Sequence, residues 1–588
     1  MRLSYRTVVR KRTEFLFFAF AVAYAALALR LTYLQFWNAE RYEEFGQKIR
    51  DRRRTIPAER GVICDRLGRV LAINVTASSV YANPNRVERP EQVSFRLAAM
   101  VDCDPDLVAQ KLNLDKEFVW IRRGASDQTG VSIEKAGLRG VGVIKEQKRL
   151  YPCGAAAQVV GFTDIDGKGL EGIERSAERY LKGSDGLVVA EVDRSGRVIP
   201  ETRRRVVKPH DGKDVVLTID AYIQNAVEEA LEEAFVTSRA TSAVAIVLDP
   251  ATGEILALAN RPTFSPNNRT GMNPDCWRNR CITDLYEPGS TLKAITAAAA
   301  LNEGVVDQDD VFASCSGALQ VGRRRIRCVL HRPYEHGHGA VDLRKMITYS
   351  CNVGASELGM RLGPDRLYRY ARDFGLLSAP GLGLVRDRRN NLQKPSRWPR
   401  IKTANVAFGQ GIAITPLQLA CAYGAIANGG VLMRPMIVKE IRNKDGTVYK
   451  SYESRMVRRV ISESTAEQLT RALVSCVKDG TGKPGGVEGY MVAGKTGSAQ
   501  KVRPGQTRYS AFVASFVGFA PASDPKMVIL VVIDEPKGTH WGATVAAPAF
   551  RKIAQKSMWY LRTPRDAPPT RPNTRVAERY TLARLPGE

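Results

Sequence analysis

Ser290 and Lys293, Ser350 and Asn352, and the run Lys495, Thr496, Gly497 and Ser498 are the residues of this chain whose types and spacing suit acyl transfer. A serine hydroxyl is a weak nucleophile at neutral pH. It needs a base within hydrogen-bond reach and donors for the oxyanion of a tetrahedral intermediate. Lys293, three residues after Ser290, shares a helix face with it and serves as base if burial or a neighbouring cation leaves it partly neutral. Lys495 is the neighbour on offer. In such a site Ser350 and Asn352 relay a proton to the leaving group and orient the substrate amide. Lys495 meets a substrate carboxylate, Thr496 and Ser498 donate hydrogen bonds, and Gly497 lets the ligand approach the backbone. With five histidines in 588 residues and no G-x-S-x-G at any of the three serines, a Ser-His-Asp hydrolase is hard to build.

The surrounding residues say which elements carry these groups. Pro288-Gly289 is a turn signal and Leu292 to Asn302 is rich in helix formers, so Ser290 opens a helix whose N-terminus favours negative charge. The apolar run Tyr490 to Ala493 places Lys495 at the end of an edge strand, able to hold an extended peptide by strand addition. Val215 to Ile219 reads as a strand and Tyr222 to Phe235 as a helix. Ala243 to Leu248 and Glu254 to Leu258 read as strands joined by the turn Asp249 to Gly253. Ala511 to Phe519 and Met527 to Ile533 read as antiparallel neighbours of the Lys495 strand, and a helix near Ala547 to Leu561 follows. The expected fold class is α+β: an antiparallel sheet flanked by helices on both sides, with an all-helical subdomain carrying Ser350.

S-x-x-K, S-x-N and K-T-G-S in this order, about 60 and then about 145 residues apart, resemble the marks of penicillin-binding proteins and serine β-lactamases. The chain resembles the class B penicillin-binding proteins, monofunctional peptidoglycan transpeptidases, over about residues 12 to 560. Tyr286-Glu287-Pro288-Gly289-Ser290-Thr291 carries the likeness, with Gly409-Gln410-Gly411, Thr415-Pro416, Gln418 and Ala427 to Gly430. Arg60-Gly61, Asp65-Arg66, Gly68 and Leu71-Ala72 match the opening of the family's pedestal domain, and Gly161 to Glu174 looks most like the division, or septal, FtsI-type branch. Two departures keep the needed atoms: Ser498 stands where threonine is commoner, and Leu292 replaces the usual aromatic before the lysine. The resemblance implies a D,D-transpeptidase that cross-links stem peptides through a Ser290 acyl-enzyme and is acylated by β-lactams, with no metal or cofactor. It further implies a polytopic glycan polymerase of the shape, elongation, division and sporulation class as partner, beside other division proteins. The alternatives are a β-lactamase or D,D-carboxypeptidase that hydrolyses the same acyl-enzyme, and a membrane-anchored scaffold that only binds β-lactams.

A chain of this length holds more than one domain, and 44% hydrophobic with 25% charged residues is ordinary for a folded protein. The expected order is a basic cytoplasmic tail (1–14), a transmembrane anchor (15–37), a charged helix-like stalk (38–54), a mixed α/β pedestal or dimerisation domain (55–213), the catalytic domain (214–562) and a disordered Pro- and Arg-rich tail (563–588). Phe15 to Trp37, as a helix rising about 1.5 Å per residue, reaches about 35 Å and spans a bilayer. The basic flank stays in the cytoplasm and the rest lies outside; the alternative is a signal peptide cleaved after Ala26-Leu27-Ala28. The anchor excludes nucleic acid by topology, so the net charge of +27 leaves anionic lipid and cell-wall polymers as attracted surfaces. No glycosyltransferase signature precedes the catalytic motifs, which argues against a bifunctional synthase. Among ten cysteines, Cys315 and Cys328 bracket a hairpin. They are open to a disulfide, to free thiols, or to zinc with His331, His336 or His338. Cys351, between two site residues, is a small apolar filler or a point at which oxidation gates activity.

Overall fold

The computed structural model describes residues 2–191, 199–202, 204–329, 334–384, 392–503, 505–506 and 508–567. His331 and the tail beyond residue 567 lie outside the described residues. The chain forms two compact units, residues 1–59 with 183–212, and residues 60–182 with 213–588.

In the first unit the helix Arg2–Thr32 runs on through a π turn at Tyr33–Trp37. Tyr5–Trp37 is the stretch, among the described residues, long and apolar enough to cross a membrane, and none of its most apolar window is buried in protein. Phe15, Phe17 and Phe20 are each more than 70% exposed. An apolar helix uncovered on all sides fits a single-pass membrane anchor. The stalk departs from its expected helical form. Its helix, Ala39–Arg50, gives way to a strand, Asp51–Ile56, which pairs antiparallel with Gly186–Glu191 from Asp51 opposite Glu191 to Ile56 opposite Gly186. Arg204–Val207 completes this three-stranded sheet. The partner strand lies well over a hundred residues along the chain, so local composition gives no sign of it.

The second unit holds two large sheets. In the first, Asp214–Leu217 lies between Ile63–Cys64, which it pairs in parallel, and Val438–Arg442, which it pairs antiparallel. The sheet therefore runs without a break across the expected domain boundary at residue 214. Beside it Glu174, fully buried, takes an ion pair from Arg60 at 2.7 Å and another from Arg149 at 2.7 Å. A buried carboxylate needs such partners.

The second sheet positions the motifs. Ala221–Ser238 (α1), N-capped by the Asp220 carboxylate, leads into the hairpin of Ser242–Leu248 (β1) and Ile255–Arg261 (β2). Lys293–Asn302 (α2) follows the serine turn. Leu343–Thr348 (α3) and Asn352–Asp373 (α4) flank Ser350, with α4 broken at Gly363 (φ 78°) ahead of Pro364. Glu463–Asp479 (α5) precedes Ala493–Val502 (β3), Tyr509–Ala520 (β4) and Met527–Asp534 (β5), and Ala547–Tyr560 (α6) follows. The five strands lie in the order β2-β1-β5-β4-β3, all antiparallel, so β3 is an edge.

Every residue of β1 is buried, because alternate side chains enter two cores. Ala243, Ala245 and Val247 pack with Ile223 and Leu231 of α1 and Phe550 and Ile553 of α6. Val244, Ile246 and Leu248 face the larger core, which holds Ile295 of α2 and Leu469 and Leu473 of α5. The subdomain carrying Ser350 is helical but not all-helical. Ala313–Cys315 pairs with Gly339–Val341, and the expected hairpin between Cys315 and Cys328 forms from Ala318–Val321 and Arg324–Arg327. No disulfide joins any of the ten cysteines. Thr563 and Asp566, within the stretch expected to be disordered, are bound. The Thr563 carbonyl accepts from the Tyr490 hydroxyl at 2.8 Å, and the Asp566 carboxylate accepts from the Met491 N–H at 2.7 Å and the Ser523 hydroxyl at 2.8 Å.

Candidate active site

Ser290 lies in a 3-10 turn, Gly289–Leu292, that runs directly into α2. Gly289 has φ 57°, where a side chain is strained, and a Cβ there would stand 3.0 Å from that of Ala499. The turn is tied on several sides. The Thr291 hydroxyl donates to the Pro288 carbonyl at 2.8 Å, the buried Tyr423 hydroxyl donates to the Thr291 carbonyl at 2.8 Å, and the Gly289 N–H donates to the Gly409 carbonyl at 3.0 Å. Gly409 (φ 84°) comes so close that a Cβ would lie 2.1 Å from the Gly289 carbonyl oxygen. The Glu287 carboxylate, its pKa pushed up by burial, accepts from the Gly411 N–H at 2.9 Å.

Lys293, on the first turn of α2, is fully buried. Its Nζ donates to the Ser350 carbonyl at 2.5 Å, the Asn352 side-chain oxygen at 2.7 Å and the Ser350 hydroxyl at 3.1 Å. All three are neutral acceptors, so they satisfy the amine's protons without supplying a counter-charge. Burial, reinforced by the Lys495 charge, brings its pKa down to about 7. Ser350 itself has φ 60°, an uncommon conformation for a residue with a side chain, which costs on the order of 1–2 kcal/mol. That turn between α3 and α4 carries the Ser350 carbonyl to the lysine.

A cavity of about 460 Å³ opens between these elements, lined by Ser290, Ser350, Asn352, Thr496 and Ser498 among others. Lys293 and Lys495 line none of it. Lys495 is fully buried, its pKa lowered by burial, and its Nζ donates to the Thr496 carbonyl at 3.3 Å. The alternation along β3 turns Thr496 and Ser498 to the cavity instead. The Thr496 hydroxyl donates to that of Thr481 at 3.0 Å, and the Ser498 hydroxyl accepts from the Gly542 N–H at 3.0 Å. Gly497 has a packing reason that differs from the expected ligand approach. A Cβ there would lie 2.3 Å from the Ser515 hydroxyl, its cross-strand neighbour, and 3.1 Å from the Pro288 carbonyl oxygen. The glycine lets the serine turn lie against β3.

The cavity also contains residues that spacing did not single out: Thr481, Tyr349, Phe408, Gln410 and Trp541. Gln410 sits in the quoted Gly409–Gly411 run, which was the one available signal. A second cavity of about 320 Å³ has Arg280, Glu287, Lys501 and Tyr509 in its lining, and is lined by none of Ser290, Lys293, Ser350, Asn352 and Lys495 to Ser498.

Residues 243–555 match the family model of the penicillin-binding protein transpeptidase domain, and residues 55–217 that of the penicillin-binding protein dimerisation domain. The chain is 36% identical over 566 residues to Stage V sporulation protein D of Bacillus subtilis, covering 95% of this chain and 87% of the relative. The chain belongs to the class B penicillin-binding proteins. Within that family it is similar to Peptidoglycan D,D-transpeptidase FtsI of Escherichia coli K12, at 32% identity over 542 residues, 90% of this chain and 89% of that one. Among solved structures, penicillin-binding protein 3 of Mycobacterium tuberculosis complexed with aztreonam superposes with a TM-score of 0.69 at 30% identity, over 88% of this chain and 99% of that one. This penicillin-binding protein thus carries a transpeptidase domain, and the relatives it is similar to include one named for sporulation and one named FtsI.

Proposed function

We propose that Ser290 is the nucleophile of a peptidoglycan D,D-transpeptidase that cross-links stem peptides during septal wall synthesis. The observation that carries the assignment is Lys293, a buried amine near neutrality held by Ser350 and Asn352 at the cavity that Ser290 lines. The Ser290 hydroxyl attacks the penultimate D-alanine carbonyl of a stem pentapeptide, and the neutral Lys293 Nζ takes its proton. Backbone N–H groups of Ser290 and Ser498 hold the oxyanion. As the intermediate collapses, terminal D-alanine departs with a proton relayed through Ser350, and the acyl group remains on Ser290. An amine of a neighbouring stem then displaces Ser290, leaving the cross-linked amide and the free serine.

Thr496 and Ser498 donate to the carboxylate of the donor peptide, with the charge of Lys495 behind the strand. An extended stem lies along the open edge of β3. β-Lactams acylate Ser290 because they resemble the D-alanyl-D-alanine terminus. The basic flank of the anchor stays in the cytoplasm, which places the catalytic unit outside the plasma membrane. A polytopic glycan polymerase of the division class supplies the strands to be joined.

Incubating the protein with a synthetic stem pentapeptide and an amine acceptor tests this reading. Release of D-alanine with formation of the amide, both lost in Ser290→Ala, supports it; D-alanine release undiminished in the variant refutes it.

A further inference from the structure

We propose that Cys315, Cys328, Cys351 and His338 bind one zinc ion, which ties the Ser350–Asn352 turn to the hairpin beside it. The four ligand atoms lie within 4.8 Å of one another. The Cys328 sulfur stands 3.6 Å from that of Cys315 and 3.6 Å from that of Cys351, and the Cys315 sulfur stands 3.5 Å from His338 Nδ1. Tetrahedral zinc, with bonds of about 2.3 Å to sulfur and about 2.0 Å to nitrogen, sets its sulfurs about 3.8 Å apart and a sulfur and nitrogen about 3.5 Å apart. The three observed edges match that figure. A disulfide would bring one pair of sulfurs to about 2.05 Å and leave the third thiol and the imidazole without a role. Here one sulfur is shared equally between two others, as a common centre requires.

The surroundings favour thiolates. The first turn of α4 points its amides at the cluster, with the Val353 N–H donating to the Cys328 sulfur at 3.4 Å and the Gly354 N–H to the Cys351 sulfur at 3.3 Å. Such outer hydrogen bonds orient and stabilise metal-bound sulfur. Cys315, Cys351 and His338 are all at most 2% exposed. Three soft sulfurs and an imidazole select zinc, and four protein ligands make a closed, structural site. Binding releases the three thiol protons to solvent.

The consequence reaches the catalytic turn. Cys351 lies between Ser350 and Asn352, both in contact with Lys293, and the Asn352 amide donates at 2.9 Å to the carbonyl of Arg327, the neighbour of Cys328. The four ligands are positioning residues for that turn.

The full chain, purified in detergent without chelator, retains about one zinc per chain by elemental analysis. Cys315→Ser and His338→Ala bind zinc at least about tenfold more weakly, since even an outer partner is worth that much, whereas Cys153→Ser, at an exposed cysteine, binds it normally. In case a variant fails to fold, the wild type stripped by chelator and given cobalt(II) develops thiolate-to-cobalt charge-transfer absorption. None of these readouts depends on acylation of Ser290. A wild type that retains no zinc and gives no cobalt absorption overturns the proposal. So does an intact mass showing two hydrogens lost to a disulfide, or full zinc binding by both variants.

Discussion

The Lys293 Nζ lies 2.5 Å from the carbonyl oxygen of Ser350, and Ser350 presents that oxygen from a left-handed backbone with φ 60°. The strain and the buried amine belong to one device. Burial, reinforced by the Lys495 charge, leaves the proton weakly held, and the turn supplies acceptors but no counter-charge to offset it.

Replacing Lys293 by alanine removes the base while Ser290 stays in place. The second-order rate of acylation by benzylpenicillin falls by about a thousandfold, within the range general base catalysis supplies. Stopped-flow acylation, beside a circular-dichroism spectrum to establish folding, measures it; a loss of less than about tenfold contradicts the role.

Acylation rises as pH passes upward through about 7, because the neutral amine is the active form and its pKa is depressed to that value. The sign for stability is the same. Between about 7 and the ordinary lysine range the unfolded chain holds a proton that the folded Lys293 has given up, so this group's contribution to stability grows with pH. Lys495→Met removes the neighbouring charge and moves the acylation midpoint above that of the wild type. A midpoint unchanged by this variant would show that burial alone sets it.

Ser350→Gly and Ser350→Ala both lose the hydroxyl, but only glycine relieves the left-handed backbone. The glycine variant is more stable than the alanine variant by about 1 kcal/mol, measured by denaturant unfolding, while both are impaired in acylation. Equal stabilities would remove the strain from the account.

Three local patterns marked the proposed site residues in the sequence, since each depends on neighbours within four positions. The hairpin between Cys315 and Cys328 and four strands of the second sheet were legible for the same reason, through turn residues and buried apolar runs, whereas β3 begins at Ala493, so Lys495 lies near its start and not at the end of a strand over Tyr490 to Ala493. The rest depends on contacts distant in the chain. Nothing near Thr481 or Trp541 marks them as cavity residues. The strand Asp51–Ile56 reads as a continuing charged helix until Gly186–Glu191 is placed beside it. The reason for Gly497 is Ser515 and Pro288, which arrive from another strand and from the serine turn.

Gly497→Ala puts a methyl group where those atoms sit, at 2.3 Å from the Ser515 hydroxyl and 3.1 Å from the Pro288 carbonyl oxygen. The variant loses about 1–3 kcal/mol of stability and acylates more slowly, because β3 is pushed from the Ser290 turn. Wild-type melting and wild-type acylation together would place the glycine's importance elsewhere.

The most direct measurement is labelling with fluorescent penicillin, wild type beside Ser290→Ala, followed by intact mass over several hours. The account predicts a single penicilloyl adduct on the wild type that persists through that time, and none on the folded variant. Equal labelling of the variant, or no labelling of a folded wild type, contradicts Ser290 as nucleophile, and an adduct that hydrolyses within minutes contradicts transpeptidation in favour of β-lactam hydrolysis.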